Sequence, residues 1–209
     1  IEGASLAERN FKFTQLMQNG VEVSYSNAQH ETKYDIVKLI DFDNPKNNTL
    51  QIINQYTMKG SDIKRPDMVV MVNGIPLVVG EAKTPVRPSV SWLDAASDTH
   101  DGYENSVPEL FVPNVLSFAT EGKELYYGAV RTPLEFWAAW RVNDGDDVAR
   151  LMGLNNVAAE MKQLLSPKTL LDILYNFTTY STNKKRQRIK VVCRYQQYEG
   201  ANLIVQRVL

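Results

Sequence analysis

The sequence predicts an α/β fold in which helices flank a central mixed β-sheet. Three observations lead to this prediction. A helix-start pattern occurs at 5–8, an Asn73-Gly74 turn pattern separates two apolar runs, and helical and strand-like segments alternate after that turn. The composition fits such a fold, because 44% of the 209 residues are hydrophobic and 22% are charged, values typical of a globular protein.

The first part of the chain predicts one helix followed by strands. Ser5 and Glu8 form a capping-box pattern, in which the hydroxyl and the carboxylate satisfy free N–H groups of the first turn. We expect the helix to run to about Gln18 and to stop at Asn19-Gly20. The runs that favour strand after this helix are 21–25, 34–40 and 50–58.

The clearest local pattern is a β-hairpin. Residues 68–72 and 75–79 are almost continuously apolar, and Asn73-Gly74 between them is typical of a type I′ turn. Because the apolar residues do not alternate with polar ones, both faces of this hairpin are expected to be covered. The sequence therefore places the hairpin at the centre of the sheet.

The rest of the chain predicts further helices and strands. Helical character occurs at 89–104 and 146–165, and Ser166-Pro167 is a good start for a helix that runs to about 180. Strands are expected at 112–119 and 125–130, and a charged linker at 184–188. We therefore predict one domain over 1–180 and, over 181–209, a linker with the beginning of another domain.

Charge, cysteine content and hydropathy exclude several classes of protein. The 23 Lys and Arg residues balance 24 Asp and Glu residues, which excludes a polybasic tail protein. Cys193 is the single cysteine, so an internal disulfide is impossible and a reducing, cytoplasmic setting is expected. No segment approaches the roughly 20 apolar residues of a membrane span, and no membrane partner is expected.

Charged residues stand at the outer end of both apolar strands, away from the turn. Asp67 precedes the first strand, and Glu81 and Lys83 end the second, so folding the hairpin brings them to one end of the sheet. Two carboxylates suit a hard divalent cation such as Mg²⁺, which would hold a scissile phosphate oxygen and lower the pKa of an attacking water. Lys83 would orient that water or offset the negative charge of the transition state.

The register of the hairpin presents a geometric problem. A two-residue turn pairs Val72 with Ile75, which sets Asp67 opposite Gly80 and turns Glu81 to the other face. A metal site therefore requires a one-residue shift, for which a bulge near Pro76 or Gly80 is the expected source. The alternative is that Glu81 and Lys83 form a solvated surface pair and that Asp67 caps a turn.

These residues resemble a known family. The segment is similar to the N-terminal nuclease domain of type I restriction enzyme R subunits (HsdR), which belongs to the PD-(D/E)xK nuclease superfamily with its restriction-endonuclease-like core. The resemblance covers about 50–141. The matching motifs are Arg65-Pro66-Asp67, Asn73-Gly74-Ile75-Pro76-Leu77, Glu81-Ala82-Lys83, Val107-Pro108-Glu109-Leu110-Phe111-Val112-Pro113-Asn114, Tyr126-Tyr127-Gly128 and the segment from Trp137 to Trp140.

The resemblance implies roles for individual residues. Asp67 and Glu81 would be Mg²⁺ ligands, the backbone carbonyl of Ala82 a third ligand, and Lys83 the catalytic lysine. The superfamily often adds an acidic residue from its first helix, which makes Glu8 a candidate, although its position in the capping box gives it an alternative structural role.

The family also carries a Gln-x-x-x-Tyr element on the helix after the lysine. Tyr103 matches the tyrosine and would contact DNA, the site or only its packing neighbours, but Thr99 stands where glutamine belongs. Lys64, Arg65 and Arg87 flank the proposed site and would contact DNA phosphates. A solvated basic rim is the alternative for these three.

The C-terminal run 190–198 resembles the entry to the family's helicase motor. In that motor an Arg-aromatic-x-Gln element lies near the adenine of ATP, which points to Gln197. The resemblance thus implies Mg²⁺-dependent cleavage of double-stranded DNA, with ATP, a methylation (M) subunit and a specificity (S) subunit engaged by the full-length protein. The alternatives are a non-catalytic docking or regulatory domain of the same fold, favoured by Thr99, and a stand-alone repair or recombination nuclease.

Overall fold

A computed structural model of the protein describes residues 5–87, 89–142 and 156–208. Helix α1 (Leu6–Asn19) begins at the predicted place, because Ser5 Oγ accepts a hydrogen bond from the Glu8 N–H at 3.2 Å. The other half of the predicted capping box is replaced, since the Glu8 carboxylate accepts from Arg188 Nε. The helix ends at Gly20, whose φ of 83° lies in the left-handed region that glycine adopts without steric cost. None of the helices in the described ranges has the length and apolar composition needed to cross a membrane.

The described residues form twelve strands. In chain order they are β1 (Val21–Ser26), β2 (Thr32–Val37), β3 (Leu50–Asn54), β4 (Met58–Lys59), β5 (Ile63–Lys64), β6 (Met68–Val72), β7 (Ile75–Ala82), β8 (Leu116–Thr120), β9 (Leu125–Gly128), β10 (Ala138–Ala139), β11 (Thr178–Thr182) and β12 (Arg188–Val192).

One six-stranded mixed sheet forms the centre of the fold. Its order is β10-β9-β8-β7-β6-β3, and all neighbours are antiparallel except β7 and β8, which are parallel. The predicted α/β architecture with a central mixed sheet is therefore confirmed, and it is consistent with a restriction-endonuclease-like core. The remaining strands pair as three two-stranded ribbons: β1–β2, β4–β5 and β11–β12.

The predicted hairpin is β6–β7, in the interior of this sheet. Asn73 and Gly74 have φ values of 52° and 78°, as a type I′ turn requires. Both faces are covered, because Val70 packs in one core cluster and Val69 in another. The hairpin residues that are at most 1% exposed are Val69, Val70, Val72, Leu77, Val78 and Val79.

A helical crossover joins the parallel strands β7 and β8. The helix predicted at 89–104 is divided into α2 (Trp92–Ser97), a π-helical turn (Asp98–Tyr103) and α3 (Glu104–Ser106). The strand expected from 112 begins later, at Leu116, because a 3₁₀ turn (Pro108–Phe111) precedes it and Pro113 has no N–H to donate to a ladder.

The C-terminal part adds the helices α4 (Val157–Leu164), α5 (Pro167–Asn176) and α6 (Tyr195–Val208). Ser166 caps α5 as predicted, but this helix ends at Asn176 and not at 180. The helix expected at 146–165 is described only from 156, where α4 follows, and its earlier part lies outside the described residues.

The charged segment expected to be a linker is the turn of the β11–β12 hairpin. Asn183 Oδ1 accepts hydrogen bonds from the N–H groups of Lys185 and Gln187, both at 2.9 Å. The hairpin packs on α1, where the Tyr180 hydroxyl donates to Asn10 Oδ1 at 2.5 Å. Residue 180 thus lies within β11, and the division of the chain into two domains at this point stays a prediction.

Candidate active site

A β-bulge shifts the register of the central hairpin by one residue. The register of the two-residue turn holds as far as Met71 with Pro76, but the next pair is Val70 with Val78, so Leu77 is the extra residue. Leu77 and Val78 consequently pack in the same core cluster, whereas regular alternation would place them on opposite faces. The predicted bulge is confirmed, and of the two expected places, Pro76 and Gly80, it lies beside Pro76.

The shifted register brings the carboxylates of Asp67 and Glu81 together. The last ladder pair is Met68 with Gly80, so the next position sets Asp67 opposite Glu81. The Asp67 N–H donates to Glu81 Oε2 at 3.4 Å, and the Ala82 N–H donates to Asp67 Oδ2 at 3.0 Å. Glu81 is only 6% exposed, so one member of this acidic pair is taken out of water.

Three side chains from the crossover that follows β7 complete the site. Lys83 Nζ donates to Glu81 Oε1 at 3.1 Å and also forms an ion pair with Asp98 Oδ2. The Tyr103 hydroxyl donates to Glu81 Oε2 at 3.0 Å. Each oxygen of the Glu81 carboxylate therefore accepts a hydrogen bond from a side chain, which fixes its orientation.

Burial and neighbouring charges shift the ionisation of this cluster. Burial raises the pKa of Glu81, and the charge of Asp67 raises it further, while hydrogen bonds from Lys83 and Tyr103 act in the opposite direction. Burial by itself lowers the pKa of Lys83, but its hydrogen bonds and charge contacts with Asp98 and Glu81 outweigh burial and leave the pKa raised. Lys83 is therefore an ammonium ion surrounded by acidic groups.

A π-helical turn explains why Asp98 and Tyr103 reach the site together. Five residues span about 1.4 turns of an α-helix and would point in different directions, but a π turn forms i→i+5 hydrogen bonds and brings such residues to one side. Thr99 is completely buried, and its hydroxyl donates to the Ala95 carbonyl at 3.2 Å. Thr99 thus packs in the core, and Asp98 supplies the polar group.

Asp98 was not predicted from the sequence. An acidic residue on a helix that follows the Glu81-Ala82-Lys83 segment was the available signal. It pointed to the site only if the helix contained a wide turn, and the pattern of apolar residues at 89–104 gave no indication of one.

The donor set at the hairpin end fits a magnesium ion. Throughout the described ranges, no group of three or more His, Cys, Asp or Glu side chains is placed to hold a metal. Mg²⁺ retains several waters, however, and is commonly held by one or two carboxylates together with substrate oxygens. Asp67 and Glu81 supply two carboxylates. The Ala82 N–H points toward Asp67, and the carbonyl of the same strand residue points to the same edge.

Glu8, Lys64 and Gln197 have defined partners outside this cluster. The Glu8 carboxylate accepts a hydrogen bond from Arg188 Nε at 2.6 Å, Lys64 Nζ pairs with Asp62 at 2.8 Å, and Gln197 Oε1 accepts from the Arg194 N–H at 2.8 Å. The roles of these three in metal, DNA and ATP binding stay predictions.

Two predicted DNA-contacting arginines lie in chain segments that adjoin the site. Arg65 is exposed and comes two residues before Asp67, and Arg87 is exposed four residues after Lys83. Their exposure leaves their guanidinium groups accessible to a polyanion. Their contact with DNA likewise stays a prediction.

Comparison with known proteins gives a consistent result. Residues 2–136 match the family model described as Type I restriction enzyme R protein N terminus. The chain is 31% identical to the Type I restriction enzyme HindI endonuclease subunit of Haemophilus influenzae, over 94% of this chain and 19% of that protein. It is 30% identical to the Putative type I restriction enzyme MjaIXP endonuclease subunit of Methanocaldococcus jannaschii, over 78% of this chain and 16% of that protein.

The chain therefore spans about a fifth or less of the length of these relatives. The family model covers well over half of it, and the matched residues include the whole cluster from Asp67 to Tyr103. The chain belongs to the type I restriction enzyme R protein family, in the part described as its N terminus.

Proposed function

We propose that this chain is a Mg²⁺-dependent endonuclease domain that cleaves double-stranded DNA as part of a type I restriction enzyme R subunit. The observation that carries the proposal is the bulged hairpin end, where Asp67 and Glu81 meet and the Lys83 ammonium lies within 3.1 Å of Glu81. The names of the relatives, which are endonuclease subunits, support the same activity.

The side chains of the site have separate tasks in this proposal. Asp67, Glu81 and the Ala82 carbonyl hold Mg²⁺, which when bound polarises a phosphate oxygen and acidifies a water molecule. Lys83 orients the attacking water and offsets the negative charge that grows on the phosphate oxygens in the transition state. Tyr103 keeps the Glu81 carboxylate in place through its 3.0 Å hydrogen bond.

The threonine at the position of the family's glutamine does not favour a non-catalytic domain. Thr99 is accommodated in the core, while Asp98 and Tyr103 present two polar groups to Glu81 and Lys83. The site therefore keeps a polar side chain from this turn, and the acidic pair and the lysine are all present. These features support catalysis over a purely structural role.

Double-stranded DNA is the proposed substrate, and the basic side chains of Lys64, Arg65 and Arg87 would bind its phosphates. We further propose that the longer polypeptide supplies an ATP-dependent motor, with Gln197 near the adenine, and that M and S subunits recognise the DNA sequence. This division of tasks is consistent with a chain that spans about a fifth or less of its relatives.

Metal binding and cleavage test the proposal in turn. We expect isothermal titration calorimetry with Mn²⁺ to detect binding to the 209-residue chain and to lose it in Asp67→Ala. We expect the chain to nick or linearise plasmid DNA with Mg²⁺, and Lys83→Ala to abolish cleavage with an unchanged circular dichroism spectrum.

Lys46→Ala is the matched control, because Lys46 is an exposed lysine on a 3₁₀ turn (Pro45–Asn47) outside the cluster. This variant should cleave like the parent chain. Substantial cleavage by Lys83→Ala would refute the role of the lysine. Failure of the parent chain to bind Mn²⁺, with and without a short DNA duplex, would refute the metal site itself.

A further inference from the structure

The Lys83 ammonium contacts two carboxylates that differ in their exposure to solvent. One partner is Glu81, at 3.1 Å, and the other is Asp98, whose side chain is 49% exposed while that of Lys83 is 26% exposed. Glu81 is buried between Asp67, Lys83 and Tyr103, whereas Asp98 reaches Lys83 from the solvent side of the π-helical turn.

Of the two contacts of Lys83, the one with Glu81 competes with cation binding and the one with Asp98 does not. A cation held by Asp67 and Glu81 needs an oxygen lone pair of Glu81. Oε2 already accepts from Tyr103 and from the Asp67 N–H, and Oε1 accepts from the Lys83 ammonium, whose positive charge competes with the cation there. The more closely the Lys83 ammonium pairs with Asp98, the less it competes with the cation for Oε1 of Glu81. Asp98 also keeps Lys83 at the hairpin end once Glu81 has turned to the cation.

We infer that Asp98 is a positioning residue, which retains the Lys83 ammonium beside the carboxylate pair and so releases Glu81 for the divalent cation. The inference rests on the proposed function and deepens it, because it assigns a task to a residue outside the Asp67, Glu81 and Lys83 set. It also explains the π turn, whose i→i+5 geometry is what lets Asp98 and Tyr103 act on the same pair of side chains.

The inference predicts a specific coupling between Asp98 and Lys83 in metal affinity. In Asp98→Asn, Lys83 is left with Glu81 alone and competes more strongly with the cation. Removing one member of a partly exposed ion pair changes an equilibrium constant by about fivefold at most. We therefore expect the Mn²⁺ dissociation constant of Asp98→Asn to rise about three- to fivefold, and Asp98→Glu to recover most of the loss.

The decisive measurement is the same substitution in a background without the ammonium. In Lys83→Met, Asp98→Asn should leave the Mn²⁺ dissociation constant unchanged or nearly so, because the competitor is gone. If Asp98 instead bound or attracted the cation directly, Asp98→Asn would weaken binding in Lys83→Met at least as much as in the parent chain. That result, or an unaltered affinity in Asp98→Asn alone, would overturn the inference.

Two controls separate this inference from the proposed function. Asp101→Asn removes an exposed carboxylate of the same π turn that pairs with Ser97 and His100, and it should not alter Mn²⁺ affinity beyond the general effect of one surface charge. Asp67→Asn reports on the metal site itself. Loss of binding in Asp67→Asn together with no effect of Asp98→Asn would refute the role of Asp98 and leave the proposed function standing, whereas absence of binding in the parent chain would overturn both.

Discussion

Replacing Gly80 with alanine tests how closely the strands beside the site must approach. A Cβ atom built on Gly80 would lie 2.1 Å from Cζ and 2.2 Å from Cε1 of the Phe118 ring, on the neighbouring strand β8. Favourable carbon contacts lie at about 3.5–4.0 Å, so the ring or the strand must move by roughly 1.4 Å or more. Phe118 is 1% exposed, so the ring cannot relieve the clash by turning into solvent without leaving the core.

The cost of this substitution follows from the clash. Overpacking a dense core typically costs about 1–3 kcal/mol, and each kcal/mol lowers the midpoint of thermal unfolding by about 2–4 °C in a chain of this length. We therefore expect Gly80→Ala to unfold about 2–12 °C below the parent chain. Because Glu81 is the next residue, displacement of β7 should also separate it from Asp67 and weaken Mn²⁺ binding.

Calorimetric unfolding and Mn²⁺ titration of four variants check this prediction: Gly80→Ala, Gly102→Ala, Phe118→Leu and the double variant. Gly102→Ala is the matched control, since a Cβ at Gly102 meets nothing within 4 Å, and it should be neutral or slightly stabilising. In Gly80→Ala combined with Phe118→Leu, the smaller side chain relieves the clash, so the pair should cost less than the sum of the single changes. A Gly80→Ala variant with the stability and Mn²⁺ affinity of the parent chain would refute the reasoning.

Two further predictions concern the pH dependence of stability. Burial raises the pKa of Glu104 to about 8 from its usual 4.5, against the opposing hydrogen bond from the Arg131 N–H. The stability associated with Glu104 is therefore complete below pH 4.5 and is lost as the pH rises to about 8, by up to about 1.4 kcal/mol per pH unit. Glu104→Gln should remove this decline in urea unfolding measured across that range, and an unchanged slope would contradict the prediction. The pH dependence from Lys190 has the opposite sign, because burial lowers its pKa to about 7 from 10.5. Between pH 7 and 10.5 the unfolded chain holds a proton that the folded chain has lost, so the free energy of unfolding should rise with pH. Lys190→Met keeps the length of the side chain and should abolish this rise; a rise of the same size in the variant would show that another group is responsible.

Local chemistry made the hairpin and its charged end predictable. Asn73-Gly74 satisfies the positive φ values of a type I′ turn. The unbroken apolar runs on either side of it predict that both faces of the hairpin are covered. The period of two in a strand then showed that Asp67 and Glu81 could share a face only through a one-residue bulge, expected near Pro76 or Gly80, and the structure has it beside Pro76. Each of these inferences depends on residues that are close together in the sequence.

Segments whose conformation depends on distant partners were predicted less well. The polar run at 184–188 has the composition of a linker, but it becomes a hairpin turn because β11 and β12 pair and pack on α1, where Tyr180 bonds to Asn10. Tyr180 and Asn10 are 170 residues apart in the sequence, so the residues around either of them do not indicate the contact.

Asp98 and Thr99 show the same limit inside the site. Turn chemistry and strand alternation act over a few residues, so the sequence was sufficient to predict that an acidic pair and a lysine would meet at one end of a buried hairpin. The widening of the crossover into a π turn, the burial of Thr99 and the contact of Asp98 with Lys83 depend on the folded chain around them. The π turn packs against β7, a strand some twenty residues earlier in the chain, so the local sequence at 98–103 does not contain the contacts that surround it.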